Sequence, residues 1–192
     1  LKTLKGFHPI VISLLLGTVM ARAASFMAMP FLAIYLSKTQ SFPPILIGLV
    51  IGISPLMSTF GSFIGGTLSD IIGRKRLMFA ALLTWSIVFI GFALASHPVT
   101  FFVLNAVNGL CRSFFEPTSQ ALMADLTPKD KRVRVFSLRY TAINIGASVG
   151  PLLGAYFGTI SANLTFFITA GVYFIYFLIL AGLFLIFPMR SN

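Results

Sequence analysis

The stretch Gly66-Thr67-Leu68-Ser69-Asp70-Ile71-Ile72-Gly73-Arg74-Lys75-Arg76 joins two long apolar runs, roughly residues 44–68 and 77–95. Each run is long enough to cross a bilayer as a helix, which takes about 20 residues. Gly73 predicts a sharp reversal, because glycine adopts positive φ without steric clash. The three cations after Gly73 mark this side as cytoplasmic, since Lys and Arg accumulate in short cytoplasmic loops. We therefore predict a tight cytoplasmic turn between two transmembrane helices.

The composition excludes a soluble globular domain. Of the 192 residues, 57% are hydrophobic and 9% are charged, whereas soluble domains carry about 25% charged residues. The net charge of +10 does not indicate nucleic-acid binding, because the cations form short clusters between apolar runs. The single cysteine, Cys111, excludes an internal disulfide and a cysteine metal cluster. We expect no cofactor, no metal site and no enzymatic activity.

Six apolar runs predict six transmembrane helices in an all-α membrane protein. Helices are required because an unpaired backbone is too costly in lipid, and the runs do not alternate as barrel strands do. The predicted helices cover residues 9–36, 44–69, 76–95, 98–126, 133–158 and 164–187.

Apart from Arg22 and Arg112, the cations are predicted to lie almost entirely on one side of the membrane. Lys38 alone falls on the other side, and Arg22 and Arg112 lie within spans. This asymmetry predicts a multi-pass protein of the plasma or inner membrane with both termini in the cytoplasm. The predicted cytoplasmic cations are Lys2, Lys5, Arg74, Lys75, Arg76, Lys129, Lys131, Arg132, Arg134, Arg139 and Arg190.

The fourth span carries most of the polar chemistry. Arg112 and Glu116 stand one turn apart and can pair. Two charges at mid-span cost on the order of 5–7 kcal/mol, so this face must meet a water-filled cavity or a partner. Glu116 predicts a proton switch tuned by Arg112; a permanently ionised structural pair is the alternative. The polar residues that recur every three or four positions on this face are Asn105, Asn108, Arg112, Glu116, Ser119 and Gln120.

The first span carries a shorter polar stripe formed by Thr18, Arg22 and Ser25. An arginine at mid-span should face protein or water. Arg22 either lines a substrate pathway or caps backbone carbonyls inside the bundle. The residues predicted to line a substrate cavity are Arg22, Ser25, Asn105, Asn108, Gln120 and Asn144.

Small residues predict close helix packing in the second and fifth spans. Residues Gly146, Gly150, Gly154 and Gly158 recur every four positions, with Pro151 beside the second glycine. Such spacing lets two helix backbones approach closely. In the second span, Gly48 and Gly52, Gly61 and Gly65, and Ser62 and Gly66 form similar pairs. Static packing and a sliding contact both fit these patterns.

Two motifs resemble one transporter family. Gly66-x-Leu68-Ser69-Asp70-x-x-Gly73-Arg74-Lys75 is similar to the loop between helices two and three of the major facilitator superfamily. Gly146-x-x-x-Gly150-Pro151-x-x-Gly154-Ala155 resembles the helix-five signature of its antiporters, departing at Ala155, where the signature has glycine. Many members carry a basic residue where this chain has Asn105. The resemblance is closest to bacterial twelve-helix drug:proton antiporters.

The resemblance also implies a charge cluster that latches the cytoplasmic side. An aspartate at the end of helix four and an arginine at the start of helix five would join the aspartate of the first loop. Arg132 is the first choice for that arginine and Arg134 the second; a plain solvated loop is the alternative. The predicted latch residues are Gly66, Asp70, Gly73, Arg74, Asp125 and Arg132.

Members of the family consist of two six-helix bundles around a central substrate site. The resemblance implies that this chain forms one such bundle, made of two inverted three-helix repeats. We expect it to be the N-terminal half, partnered by a second bundle or a second copy. The implied function is proton-coupled efflux of drugs or amphiphiles, amphiphilic cations among them, by alternating access. In that mechanism Arg22 could contact the substrate or Glu116. Proton-coupled uptake, lipid or glycolipid flipping, and a non-transporting receptor or assembly role remain alternatives.

Overall fold

A computed structural model describes residues 6–161 and 163–188. Within them the chain forms six α-helices and one short 3-10 helix, Lys129–Lys131. Lys2, Lys5 and Arg190, predicted on the cytoplasmic side, lie outside the described residues. The helices are α1 (Pro9–Lys38), α2 (Pro44–Ile72), α3 (Arg74–Leu94), α4 (Pro98–Asp125), α5 (Arg132–Ile160) and α6 (Leu164–Ile186).

The connection between α2 and α3 is a single residue, Gly73. Its φ of +92° lies in the region that favours glycine, which confirms the predicted reversal. The helices extend closer to this turn than expected, since α2 ends at Ile72 and α3 begins at Arg74.

A His-Pro pair begins both α1 and α4. Pro9 and Pro98 occupy the first helical turn, where a missing N–H costs nothing. The His8 Nδ1 accepts a hydrogen bond from the Ile10 N–H at 3.2 Å, and the His97 Nδ1 accepts one from the Val99 N–H at 3.3 Å. Both histidines therefore act as helix caps.

The helices pack in a fixed set of pairs. The main contacts of α1 are with α5 and α6, those of α4 are with α2 and α3, and α3 also packs on α6. Aromatic side chains fill the space between α1, α3, α4 and α6. The ring of Phe166, for example, meets the ring of Tyr35 edge-on, with 5.3 Å between the ring centroids, and its centroid lies 5.8 Å from that of Phe92.

Among the described helices, α4 alone is not apolar enough to qualify as a membrane span by length and composition. The other five qualify. The difference follows from the amides and charges at Asn105, Asn108, Arg112 and Glu116. The bundle shelters α4 on the side that carries these groups, since Asn105 and Asn108 are fully buried.

The glycines of α5 form a ridge against the backbone of α1. A Cβ built on Gly150 would lie 2.7 Å from the Ala23 carbonyl oxygen, and one on Gly154 would lie 2.7 Å from that of Met27. Only glycine allows this approach, so the predicted close packing of α5 is confirmed. In α2, Gly61 and Gly65 pack on Ser113 of α4, whereas Gly48, Gly52 and Gly66 face open space.

Candidate functional site

A small polar cavity of about 30 Å³ lies between α1, α3, α4, α5 and α6. It holds charged groups from three helices inside an otherwise apolar bundle. Its lining residues are Thr18, Ala21, Arg22, Ser25, Trp85, Arg112, Phe115, Glu116, Ser119, Arg139 and Tyr173.

An ion pair between Arg22 and Glu116 crosses this cavity from α1 to α4. The two side chains are 19% and 28% exposed, so the pair lies near the opening. The sequence allowed Glu116 to pair with Arg112, one turn away, or to be contacted by Arg22, and the structure shows the contact with Arg22. The Arg112 Nη2 instead donates to the Ser25 Oγ at 3.4 Å, because α1 presents Ser25 to it and Arg22 to Glu116.

Arg139 is a cavity residue that the sequence interpretation placed on the cytoplasmic side. It is only 5% exposed and lies beside the ion pair, attracted by Glu116 and repelled by Arg22. A signal for this position was present in the sequence. Arg139 precedes Gly146 by seven residues, two helical turns, and therefore shares the α5 face that packs on α1.

Asn105 and Asn108 lie outside the cavity, although both were predicted to line it. The Asn105 Nδ2 donates to the Val50 carbonyl of α2 at 2.7 Å. The Asn108 Oδ1 accepts from the Trp85 Nε1 at 2.8 Å, and its Nδ2 donates to the Asn105 Oδ1 at 3.0 Å and the Ser54 Oγ at 3.3 Å. These amides join α2, α3 and α4 because a buried amide needs partners.

Gln120 and Asn144 also lie outside this cavity. Both are exposed on the surface of the described bundle. The Asn144 Nδ2 donates to the Tyr140 carbonyl of its own helix at 2.9 Å. Of the six predicted substrate-cavity residues, the cavity contains Arg22 and Ser25.

The charged groups at the predicted cytoplasmic end form a smaller cluster than expected. Arg74 of α3 pairs with Asp125 of α4. Arg132 does not join them; its Nε donates to the Thr127 carbonyl at 3.3 Å. Asp70 is exposed and makes no ion pair with a described residue.

A second, apolar cavity of about 300 Å³ lies between α1 and α5, beyond the glycine ridge. Pro30 and Pro151, the internal prolines of the two helices, both line it. Pro151 of the helix-five signature thus lies at an interhelical contact, next to the ridge formed by Gly146, Gly150 and Gly154.

Comparison with known proteins identifies the family. The sequence profile of the Major Facilitator Superfamily matches residues 14–191. The chain therefore belongs to this superfamily of transporters, a multi-pass membrane protein and not an enzyme.

Curated relatives are bacterial transporters about twice as long. The chain is 46% identical over 181 residues to the uncharacterized MFS-type transporter YqjV of Bacillus subtilis, covering 94% of this chain and 44% of YqjV. It is 36% identical over 146 residues to a Na(+), Li(+), K(+)/H(+) antiporter of Planococcus maritimus, covering 73% and 34% of the two chains. It is 34% identical over 169 residues to the multidrug resistance protein MdtG of Salmonella paratyphi C, covering 85% and 42%. The chain thus spans less than half the length of these relatives.

Solved structures show the same fold. The peptide transporter POT in complex with sulfate matches with a TM-score of 0.83 and 21% identity, over 91% of this chain and 37% of that one. The POT family transporter PepTSo matches with a TM-score of 0.78 and 19% identity, over 95% and 39%.

Proposed function

We propose that this chain is one six-helix bundle of a proton-coupled secondary transporter that exports small molecules by alternating access. The observation that carries the proposal is the Arg22–Glu116 ion pair inside a polar cavity of an apolar bundle. Ionisable groups at membrane depth are costly, about 2.5–3.5 kcal/mol each on insertion scales, and usually mark substrate or proton pathways.

The ion pair gives Glu116 a way to couple its protonation to helix movement. While ionised, Glu116 holds Arg22 and so joins α4 to α1. Protonation removes the charge and weakens the pair, which frees α1 to move relative to α4. A proton can then shift the equilibrium between two orientations, because it binds them with different affinity.

The helix pairing supports two inverted three-helix repeats. If α1, α2 and α3 are exchanged with α4, α5 and α6, the α1–α5 contact becomes the α4–α2 contact, and α1–α6 becomes α4–α3. The α3–α6 contact maps onto itself. The His-Pro pair that begins both α1 and α4 fits the same relation. Repeats of this kind are typical of transporters that rock around a central site.

The exposed faces of α2 and α5 support a partner bundle. Large apolar side chains such as Phe63 of α2 and Leu152 of α5 are 81% and 72% exposed. With relatives more than twice as long, a second six-helix bundle is the proposed partner, and a second copy is the alternative. The substrate would then lie between the two bundles, and the bilayer would cover the remaining apolar surface.

The basic loops support an orientation with both termini in the cytoplasm. The Arg74–Asp125 pair would then close the cytoplasmic side in the outward-open state. Asp70 and Arg132, which make no ion pair with a described residue here, remain proposed members of this latch in another conformation, together with Gly66.

The direction of transport rests on two observations. The signature glycines Gly146, Gly150 and Gly154 pack α5 on α1 as a tight ridge, and this motif resembles that of antiporters. Two of the relatives are named for multidrug resistance and for cation/proton antiport. Both favour efflux in exchange for protons.

Uptake by proton symport is the second candidate, and the charge of the cavity favours it. Protonation of Glu116 would leave its arginine neighbours without a counter-charge. An anionic substrate would then bind better together with the proton, and the two would move in the same direction.

Everted membrane vesicles from cells that express the protein test both candidates. The lumen is acidified by respiration, and small molecules of positive, neutral and negative charge are added outside while a pH-sensitive dye reports the gradient. Antiport predicts that added substrate collapses the gradient, whereas symport collapses it only when substrate is loaded inside. Glu116→Gln should abolish the response, and Asp130→Asn, which removes an exposed loop carboxylate, should retain it.

An undiminished response in Glu116→Gln would remove this residue from the coupling mechanism. If no molecule alters the gradient from either side and none accumulates, a receptor or assembly role replaces transport. Movement of labelled lipid between leaflets would identify a flippase instead.

A further inference from the structure

Arg139 is a buried cation without a bonded partner among the residues that the structure describes. The residue is only 5% exposed, and its side chain makes no hydrogen bond or ion pair with any described residue. A guanidinium stays charged and offers five N–H donors, and those of Arg139 are accessible from the cavity because the side chain lines it. A group that satisfies these donors is therefore expected to enter the cavity.

The cavity that Arg139 lines has an excess of positive charge. Arg22, Arg112 and Arg139 carry three positive charges, and Glu116 carries the single negative charge among the lining residues, which leaves a net charge of +2. Glu116 is already engaged by Arg22, and Arg112 has only a 3.4 Å contact to the Ser25 hydroxyl. Two of the three guanidinium groups thus lack an anionic partner.

We infer that this cavity binds an anionic group of the substrate, such as a carboxylate or phosphonate, through Arg112 and Arg139. The planar guanidinium matches the oxygens of such groups with two parallel hydrogen bonds, and charge-assisted bonds of this kind are the strong ones. This inference rests on the proposed transport function only in naming the ligand a substrate.

The cavity size limits what part of the ligand enters. The cavity of about 30 Å³ is far smaller than the pockets of about 300–1,000 Å³ that enclose drug-sized ligands, so only a small charged group can enter it. The remainder of the molecule therefore lies outside the cavity, beyond the Arg22–Glu116 pair at its opening. Amphiphilic cations, which the sequence alone suggested, meet repulsion from the net charge.

Three probes of similar shape test this: phenylphosphonate, benzyl alcohol and benzylammonium. Each is added at millimolar concentration to the purified full-length protein in detergent, and thermal unfolding is followed. A ligand that binds the folded state raises the midpoint. We expect phenylphosphonate to stabilise the protein, and the alcohol and the ammonium to have little effect.

The variants locate the binding. Arg139→Gln and Arg112→Gln should each weaken phenylphosphonate binding about tenfold or more, as expected for a lost charge-assisted bond. Arg139→Lys should recover part of it, and Arg76→Gln, which removes an exposed cation of α3, should bind as the unmodified protein does. If Arg139→Gln does not fold, Arg112→Gln alone decides.

Stabilisation by benzylammonium instead of phenylphosphonate would overturn the inference, and would indicate that partner carboxylates neutralise the cavity. Equal phenylphosphonate binding in Arg112→Gln and Arg76→Gln, or no stabilisation by phenylphosphonate at all, would also overturn it. These binding results are independent of the vesicle assay. Binding at the arginines without any transport leaves the anion site in place and removes the proposed function.

Discussion

Arg22 of α1 forms an ion pair with Glu116 of α4, and the two residues are 94 positions apart in the chain. The pair joins two helices whose direct backbone contact is slight compared with their contacts to α5 and α2. The charge state of Glu116 therefore controls one of the few direct links between α1 and α4.

Removing the cationic partner should destabilise the bundle. Arg22→Gln leaves the Glu116 carboxylate unpaired, and we expect a loss of about 1–3 kcal/mol in the free energy of unfolding, between the values for exposed and buried pairs. Arg22→Lys should lose less, because it retains the charge. Unfolding by SDS titration in mixed micelles measures both.

The double variant Arg22→Gln/Glu116→Gln completes the comparison. Its loss of unfolding free energy should be smaller than the sum of the losses in the two single variants, because each single change breaks the same ion pair. Simple additivity would show that the pair contributes no interaction energy.

The glycine ridge should be intolerant of a methyl group. Gly150→Ala places a Cβ 2.7 Å from both the Ala23 carbonyl oxygen and the Phe26 Cβ, so α1 and α5 must separate. We expect a cost of about 1–3 kcal/mol, as for other overpacked contacts. Gly171→Ala, where nothing lies within 4 Å, is the control and should be neutral or stabilising. Similar melting midpoints for the two variants would argue against close packing at Gly150.

The buried amide of Asn108 should be structural. Asn108→Leu removes the acceptor of the Trp85 N–H and a partner of Asn105, and unsatisfied buried groups cost about 1–3 kcal/mol each. Trp85 is the one tryptophan in this chain, so the chain's tryptophan fluorescence reports the loss of the Asn108 acceptor. Asn144→Leu removes an exposed amide that bonds within its own helix, and should leave both stability and fluorescence unchanged.

The Arg74–Asp125 pair should affect conformation more than stability. Its side chains are 36% and 56% exposed, and exposed pairs contribute about 0–1 kcal/mol. Asp125→Asn should therefore unfold normally but increase labelling of cysteines placed at the Arg74 end of α3 and the Asp125 end of α4. The charge exchange Arg74→Asp/Asp125→Arg should return labelling toward the original level; if labelling never changes, the pair is not a latch.

The sequence was sufficient for the helices and for the turn at Gly73, because hydrophobic length and glycine conformation are local properties. It was also sufficient for the α5 ridge, since a four-residue glycine repeat places the glycines on one face and lets another helix approach closely. The helix ends at Ile72 and Arg74 were missed by a few residues, because charged side chains at a membrane surface look like loop residues in a sequence.

The partners of the charged residues could not be predicted in the same way. Spacing on one helix made Arg112 a possible partner of Glu116, and Arg22 of another helix was a second possibility. The actual partner of Glu116 depends on how α1 is rotated, which is a tertiary property. Arg139 was assigned to the cytoplasmic side, although its phase relative to Gly146 indicated a buried face.

The one-residue turn at Gly73 has a mechanical consequence. Two virtual Cα–Cα bonds connect Ile72 to Arg74, so these ends can never be more than about 7.6 Å apart. Because this connection is so short, the beginning of α3 must move together with the end of α2. Insertion of a few flexible residues at Gly73 would uncouple the movements of the two helices without replacing any side chain that lines the cavity.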